Sequence, residues 1–317
     1  VVAAAIGGSS NCPISMIAIA RHMGVEHTLE DWQRLGADIP LLADVQPAGR
    51  FLGEGFFRAG GVPAIMRELL QAGRLNTDVM TVTGKTLGEN LAKPVTVDRE
   101  VIRPYGEPLK ENAGFIVLSG NLFDSAVMKI SVIDPEFRGR FLSDPERPNV
   151  FEGRAIVFEG PEDYHDRIED PALGIDEDCI LVIRNCGPVG YPGGAEVVNM
   201  QPPDRLLKRG IRSLPTLGDG RQSGTADSPS ILNASPESAA GGGLAFLRTG
   251  DRIRIDLNHG RCDMLVDDAE IARRRAEGLP PVPPSATPWQ RIYRETVTQL
   301  EDGATIRGAE DFRRIRD

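Results

Sequence analysis

The sequence predicts an α/β part followed by a β-rich α+β part, the latter being a barrel or a sandwich with helices packed on it. Apolar residues at helical spacing dominate up to about residue 100, with one short strand-like run among them. Beyond that point, short Val- and Ile-rich runs alternate with turns that contain Gly and Pro. Gly (35) and Pro (24) are abundant and aromatic residues are only 5% of the chain, which favours turns and close backbone approaches over a helix bundle.

We place the boundary between the two parts near residues 95–103, which gives a first part over 1–100 and a second over 101–317. The first part opens on an apolar run, a Gly/Ser turn and a helix with Ser or Asn near its N-cap. The expected elements are a buried helix or strand at 1–6, helices at 14–22, from 28, at 64–72 and at 86–91, and a strand at 40–45.

The second part is predicted to contain short strands, with helices towards its carboxyl end. Strands are expected at 116–118, 127–133, 155–158, 180–184, 213–217, 244–247 and 252–257. A charged helix is expected at 268–277, an extended Pro-rich linker at 280–284 and an amphipathic helix at 289–300. We expect the Trp and Tyr side chains of this last helix to dock on another part of the protein or on another subunit.

The composition excludes several classes of function. A net charge of −10 without a basic run is poorly suited to nucleic acid, because backbone phosphates demand a positive patch. The chain has no run of about 18 consecutive apolar residues, and its apolar start lacks the charged region of a signal peptide. We therefore expect no membrane span, and a cytoplasmic location with free thiols. The cysteines are Cys12, Cys179, Cys186 and Cys262.

The densest candidate segment is GPVGYPGGAE at 187–196, directly after the strand expected at 180–184. Four glycines and two prolines predict an irregular loop at a strand end, where function commonly lies. Its single carboxylate, Glu196, is a candidate ligand of Mg²⁺, which proteins usually hold with only one or two carboxylates. The alternative is that Glu196 starts a helix at 197–200, where an acid suits the helix dipole. Small buried packing is the simpler explanation of Cys186 beside this loop.

The second candidate segment, LGDGRQSGT at 217–225, also follows an expected strand. Its glycines allow a ligand to approach the backbone closely. Ser223 has neither a His–Asp signature nor G-x-S-x-G surroundings, so a chemical role needs activation, for which metal coordination is one route. The alternative is a Gly/Ser/Thr turn without chemistry.

The third candidate segment, GGSSN at 7–11, opens a helix. Exposed N–H groups at a helix start suit an anion such as a carboxylate, and we name Asn11 as a candidate substrate-binding residue. The alternative is an ordinary capped helix. The histidines show no metal-ligand spacing, so surface or capping roles are expected for them. They are His22, His27, His165 and His259.

Together these segments resemble the dihydroxy-acid and sugar-acid dehydratase family of iron–sulfur enzymes. The resemblance includes AIGGSSNCPISMIAIARHMGV at 5–25, PLLADVQPAGRFLGEGFFRAGGVPAIMREL at 40–69 and GNLFDSAVMK at 120–129. Its most specific parts are GPVGYPGGAEVVNM at 187–200 and GDGRQSGTADSPSILNASPESAAGGGLAFLRTGDRIRIDL at 218–257. The GYPGGAE and GDGRQSGT motifs are more similar to those of the aldonate dehydratases than to those of the branched-chain enzymes. The branched-chain enzymes usually have sequences closer to GMPE and GRFSGG at these places.

The resemblance implies a reaction and a set of roles. The family removes water from a 2,3-dihydroxy acid, and the enol that results becomes a 2-keto-3-deoxy acid; the implied substrate is a pentonate such as L-arabinonate or D-xylonate. Ser223 matches the base that removes the C2 proton as an alkoxide, and Thr225 matches a hydroxyl residue beside it that helps place substrate or product. Glu196 matches a Mg²⁺ ligand, and the family's [2Fe–2S] cluster helps the 3-hydroxyl to leave. The rival interpretations are a branched-chain dihydroxy-acid dehydratase and a non-catalytic relative.

The resemblance also implies a swivelling-type, barrel-like second part, an active site between the two parts, and a homodimer or homotetramer. The chain departs from the family because none of its four cysteines falls at a cluster position. The family's cluster cysteines, remaining metal carboxylates and modified lysine precede the equivalent of Val1. We therefore expect the chain to be the carboxy-terminal part of a longer polypeptide whose cluster ligands lie upstream.

Overall fold

The second part of the molecule is organised around a mixed sheet. The structure, a computed structural model, describes residues 1–93, 95–223 and 228–309. The strands that it describes are β1 (Phe115–Leu118), β2 (Ser125–Lys129), β3 (Val150–Phe158), β4 (Cys179–Ile183), β5 (Thr216–Gly218), β6 (Ser230–Ser235), β7 (Arg252–Asp256) and β8 (Arg261–Met264). Their order across the sheet is β1-β2-β6-β5-β4-β3-β7-β8.

The four central strands, β3 to β6, run parallel, and antiparallel strands flank them on both sides. The two edge strands approach each other, because Ser119 after β1 forms a bridge with Arg261 in β8. The Ser119 amide donates to Gly260 O, and Ser119 O accepts from the Cys262 amide, both at 2.9 Å. The sheet is therefore a nearly closed barrel, which confirms the predicted fold class of an α/β part followed by a barrel-like β-rich part.

A layer of helices precedes the sheet. The helices are α1 (Val2–Ile6), α2 (Asn11–His22), α3 (Leu29–Gly36), α4 (Gly53–Arg58), α5 (Gly61–Gln71) and α6 (Leu87–Leu91). Capping boxes start α3 at Thr28 and α6 at Thr86, where the Thr side chain and an acid three residues later satisfy each other's backbone amides. The helices predicted in this part are confirmed, and the apolar run at 1–6 is a helix.

The strand predicted at 40–45 is reduced to isolated bridges. Leu41 pairs with Lys110, Ala43 with Ile102 and Val45 with Phe51. Because each alternate residue finds a partner in a different segment, no continuous ladder forms, although the run is buried as its apolar sequence requires. This segment connects the helical layer to the residues that lead into β1.

Five helices lie in the described residues of the second part. They are α7 (Pro135–Phe141), α8 (Pro161–Arg167), α9 (Asp204–Leu207), α10 (Asp268–Ala276) and α11 (Pro288–Thr296), of which the last two match predicted helices. The strand predicted at 244–247 is wrong, since Gly243–Phe246 is a buried 3-10 helix. A four-residue apolar run does not distinguish a buried strand from a buried helical turn. The run at 127–133 likewise leaves the strand at Lys129 and continues as a 3-10 helix over Ile130–Val132.

The central strands are buried on both faces. In β4, Ile180 and Val182 belong to the cluster inside the barrel, whereas Cys179, Leu181 and Ile183 belong to a cluster on the opposite face. A third cluster joins the helical layer to the sheet through Phe115 of β1. Burial on both faces explains why β4 is a continuous apolar run and not an alternating one.

The described residues contain no helix with the length and apolar character needed to cross a bilayer. The four cysteines are free thiols, as predicted, and three of them are buried.

Candidate active site

The loops that follow the parallel strands lie at one edge of the sheet. β4 and β5 are adjacent and parallel, with Ile183 paired with Gly218 at their carboxyl ends. The candidate loop at 187–196 follows β4. The second candidate segment, 217–225, begins within β5 and is described as far as Ser223, so the two leave the sheet side by side. This is the edge at which open sheets of parallel strands commonly bind ligands.

Glu196 pairs with the segment that carries Ser223. A parallel bridge joins Glu196 to Arg221, and the Val198 amide donates to Arg221 O at 3.0 Å. The Glu196 carboxylate lies 3.6 Å from the Arg221 guanidinium, and 38% of the Glu196 side chain remains exposed, so that a cation can reach it. The alternative in which Glu196 starts a helix is wrong, because no helix forms at 197–200.

Asn11 joins the helical layer to both loops. It is the first residue of α2, but its side-chain amide does not cap that helix. Its Nδ2 donates to Glu196 Oε1 at 2.5 Å and to Gln222 O at 2.9 Å. Its Oδ1 is buried and has no hydrogen-bond partner among the described residues. The structure therefore brings together two of the predicted site residues, Asn11 and Glu196, with the backbone next to the third, Ser223.

Ser223 is half-buried at the end of a well-anchored segment. Its neighbour Gln222 is buried and donates from Nε2 to Ser228 Oγ at 3.0 Å, while Gln222 O accepts from Asn11. These contacts fix the chain that leads into Ser223. Thr225, the other predicted catalytic residue, lies outside the described residues.

Asp219, in the second candidate segment, is a fully buried carboxylate for which the sequence predicted no role. It accepts hydrogen bonds from the amides of Asn185 (3.1 Å), Cys186 (2.8 Å) and Ser238 (2.8 Å). Burial raises its pKa, because the ionised form loses its water, and the three amides only partly oppose this shift. Asp219 thus ties the ends of β4 and β6 to the segment that carries Ser223.

Glu237 is a second fully buried carboxylate, for which the sequence predicted no role. It accepts from the amides of Val189 (2.9 Å) and Gly190 (2.7 Å) and from Gln299 Nε2 (3.0 Å). Burial, reinforced by the neighbouring Asp219, raises the pKa of Glu237 to about 7. Glu237 therefore holds the middle of the loop that ends at Glu196.

The positions of Asp219 and Glu237 just after strands could have identified both acids from the sequence. Asp219 comes directly after β5, and Glu237 comes two residues after β6, so each leaves the sheet at the same edge as the candidate loops. Ligands commonly bind outside the carboxyl ends of parallel strands, so an acid just beyond such a strand is a candidate site residue.

The amphipathic helix α11 docks on the Glu196 loop. Arg294 donates from Nε to Val189 O at 2.8 Å and from its guanidinium to Gly190 O at 3.2 Å. Tyr293 is half-buried, and burial raises the pKa of its phenol. Trp289 remains 78% exposed. The tyrosine side of the predicted helix thus packs within this chain, whereas the tryptophan does not.

Glycines allow the loops to pack this closely. A Cβ at Gly220 would lie 2.6 Å from Cys186 Cβ, and one at Gly187 would lie 2.6 Å from the Glu237 carboxylate. The buried Cys186 therefore acts as a packing residue against the Ser223 segment, and burial holds the pKa of its thiol well above the usual value. The Gly content singled out in the sequence serves backbone approach at these positions.

The donors present fit Mg²⁺ in part and do not fit an iron–sulfur cluster. The Glu196 carboxylate and the unpartnered Asn11 Oδ1 are oxygen donors of the kind that Mg²⁺ prefers. The described residues contain no group of three or more His, Cys, Asp or Glu side chains that could hold a metal ion. The four cysteines, which all lie in the described part, form no set of cluster ligands such as a [2Fe–2S] centre requires.

Comparisons with known proteins give a consistent result. A model of the dihydroxy-acid/6-phosphogluconate dehydratase C-terminal region matches residues 100–304, and a model of the corresponding N-terminal region matches residues 1–90. The chain is 67% identical to a D-xylonate dehydratase from Caulobacter vibrioides, over 96% of the chain and 51% of that protein. It is 40% identical to an L-arabinonate dehydratase from Rhizobium leguminosarum, over 96% of the chain and 51% of that protein.

A dihydroxy-acid dehydratase from Acidothermus cellulolyticus is 37% identical, over 96% of the chain and 52% of that protein. The chain spans about half the length of the curated relatives it matches.

Proposed function

The chain belongs to the dihydroxy-acid/6-phosphogluconate dehydratase family, and from this premise we propose that the full-length protein dehydrates a pentonate, such as D-xylonate or L-arabinonate, to the 2-keto-3-deoxy acid. The high identity to a D-xylonate dehydratase over nearly the whole chain supports the substrate class. The geometric observation that carries the proposal is the junction of Asn11, Glu196 and the Ser223 segment at one edge of the sheet.

Ser223 is the proposed base. Its oxygen, as an alkoxide, takes the C2 proton of the sugar acid; the electron pair of the C2–H bond forms the C2–C3 double bond, and the C3–O bond breaks. The departing hydroxide takes the proton back from Ser223 and is released as water, which restores the alkoxide. The resulting enol loses the proton of its 2-hydroxyl, takes up a proton at C3 from solvent and becomes the 2-keto-3-deoxy acid. A serine hydroxyl can serve as a base only where nearby positive charge lowers its pKa. Thr225, two residues on, is proposed to place substrate or product.

Glu196 is the proposed Mg²⁺ ligand in this chain. Mg²⁺, when bound, would offset the negative charge that develops on the carboxylate and 2-hydroxyl as the C2 proton leaves. Asn11 orients the Glu196 carboxylate through the 2.5 Å hydrogen bond, and its Oδ1 is a buried acceptor without a partner among the described residues. No residue of this chain is assigned to an iron–sulfur cluster, and we derive no step through one.

The remaining organisation is proposed on the same basis. We infer an α/β part over 1–100 and a β-rich part over 101–317, with the active site between them, because Asn11 reaches across to Glu196. We also propose a homodimer or homotetramer in the cytoplasm. The branched-chain dihydroxy-acid dehydratases are the less supported alternative, since identity to them is lower.

A substrate panel tests the proposed function. The full-length protein, prepared anaerobically, is assayed for 2-keto-acid release from D-xylonate, L-arabinonate, D-gluconate and 2,3-dihydroxyisovalerate. We expect kcat/KM for one of the pentonates to exceed that for every other acid by at least tenfold. Faster turnover of dihydroxyisovalerate would favour the alternative, and no turnover of any acid by a correctly loaded protein would refute the proposal.

A further inference from the structure

We propose that Glu237 is a positioning residue of the site, which fixes the loop at 187–196 and thereby the place of the Glu196 carboxylate. The inference rests on the proposed function, in which Glu196 is a metal ligand. Glu237 lies 41 positions from Glu196 along the chain, and no hydrogen bond or ion pair joins the two among the described residues, so it would act through the loop.

The middle of the loop is held from two sides. The amides of Val189 and Gly190 donate to the Glu237 carboxylate, and the carbonyls of the same two residues accept from Arg294. Neither Val189 nor Gly190 belongs to a helix or strand. The Glu237 and Arg294 side chains therefore supply the hydrogen bonds that a helix or sheet would otherwise give to this backbone.

The Glu237 carboxylate is itself fixed. Gln299 donates to Glu237 Oε1 at 3.0 Å, and Gln299 Oε1 accepts from the Glu237 amide at 2.7 Å. Next to it in sequence, the Ser238 amide donates to the buried Asp219, which also accepts from Cys186. Glu237 therefore couples the loop to the end of β6 and, through Asp219, to the segment that carries Ser223.

A carboxylate suits this position better than an amide does. It offers two acceptor oxygens to converging N–H groups, whereas a glutamine would direct an NH₂ group at one of them. The backbone at Gly187 already packs tightly against Glu237, since a Cβ at Gly187 would lie 2.6 Å from the carboxylate. The loop therefore cannot shift towards residue 237 to make up for a lost hydrogen bond. Losing an acceptor here leaves a buried amide unpaired, which favours release of the loop.

The test compares Glu237→Gln with Glu68→Gln in the full-length protein. Glu68 is an equally suitable buried carboxylate, because it accepts from the Tyr105 amide at 3.1 Å and pairs with Arg99, outside both candidate loops. Amide hydrogen exchange is measured at pH 8, where Glu237 is ionised because its pKa is about 7. The amides followed are those of Val189, Gly190 and Val198, the last of which bonds to Arg221 O beside Glu196. Mn²⁺ affinity is measured by titration without substrate.

We expect Glu237→Gln to accelerate exchange at all three amides by at least tenfold, to leave β4 protected and to weaken Mn²⁺ binding by at least tenfold. Glu68→Gln should change neither. Unchanged exchange at Val198, or equal loss of Mn²⁺ affinity in Glu68→Gln, would overturn the proposal. If Glu237→Gln does not fold, Gln299→Ala is used, because it removes one hydrogen bond to the Glu237 carboxylate. It should accelerate exchange at the same three amides by a smaller factor. Unchanged exchange at Val198 in this variant would likewise overturn the proposal.

Glu196→Gln separates this inference from the proposed function. If that variant binds Mn²⁺ normally, the metal assignment of Glu196 fails, whereas the exchange measurements on Glu237→Gln still decide whether Glu237 positions the loop.

Discussion

Asn11 Nδ2 lies 2.5 Å from Glu196 Oε1, a contact between residues 185 positions apart. The same NH₂ group donates to Gln222 O at 2.9 Å, so that one side chain uses both its donors to join two loops. Through this contact the helical layer contributes to a site that otherwise lies on the barrel. The charged carboxylate makes the first of these bonds the stronger one.

Replacing Asn11 by Ala should lower kcat/KM for the pentonate by about tenfold or more. A hydrogen bond to a charged group contributes about 1.5–3 kcal/mol, and each 1.4 kcal/mol corresponds to a factor of ten in rate. Steady-state kinetics of the full-length protein provide the measurement. Asn76→Ala is the control, because Asn76 is exposed and its side chain accepts from the Asp78 amide, far from both candidate loops in sequence. Equal kinetics in the two variants would remove Asn11 from the site.

Replacing Ser223 by Ala should reduce activity by orders of magnitude while folding stays intact. The side chain is half-buried, so the loss of one oxygen leaves little cavity, but the proposed base is gone. Activity and circular dichroism are measured on the same preparation. Ser143→Ala serves as the matched control, since Ser143 is exposed and donates to Arg138 O. Near-normal turnover by Ser223→Ala would mean that another group removes the C2 proton.

Replacing Glu196 by Gln should weaken the dependence on Mg²⁺ and leave the fold unchanged. The substitution keeps the shape and exposure of the side chain but removes the charge that attracts a hard cation. The Mg²⁺ concentration for half-maximal activity should rise by at least tenfold. Glu295→Gln is the control, because this exposed acid on α11 pairs only with Arg291 among the described residues. An unchanged Mg²⁺ titration would take Glu196 out of the metal site.

The loops that carry Glu196 and Ser223 could be predicted from the sequence, because Gly and Pro accumulate where strands end. In the structure both loops do follow the ends of strands. The sequence did not locate Glu237, whose role depends on meeting Val189 across a fold that pairs distant segments. The strand predicted at 244–247 failed for a related reason, since an added Cβ at Gly243 would lie 2.0 Å from Asn121 O. A short apolar run alone could not reveal this contact, because periodicity does not distinguish a buried strand from a buried helical turn.

The stability of the protein should fall as pH rises from about 4.5 to about 7 through the titration of Glu237. Burial raises its pKa from 4.5 to about 7, so the folded state binds more protons than the unfolded state in this window. The stabilisation is present below pH 4.5 and is lost as pH rises through 7. Asp219 raises this pKa further, whereas the Val189 and Gly190 amides and the Gln299 side chain lower it. Cys186 and Tyr293 are the other titratable neighbours, since the charge of Glu237 raises the pKa of each.

Urea denaturation midpoints at pH 5 and pH 7.5 test this dependence. The wild type should lose more stability between the two values than Glu237→Gln, because the variant has no group to ionise at this place. Parallel pH dependences in the two proteins would show that Glu237 is already ionised at pH 5.

Replacing Gly220 by Ala should destabilise the protein and impair the site together. The added Cβ would lie 2.6 Å from Cys186 Cβ and 2.7 Å from Cys186 O, both fixed by the end of β4, so the segment leading to Ser223 must move. Overpacking of this kind costs about 1–3 kcal/mol.

Gly139→Ala in α7 is the control, since nothing lies within 4 Å of its added Cβ and Ala is favoured in a helix by about 1 kcal/mol. We expect a lower melting temperature and reduced activity for Gly220→Ala, and an unchanged or higher melting temperature for Gly139→Ala. A Gly220→Ala protein of wild-type stability would show that Cys186 can yield, and the two loops would then not be rigidly packed.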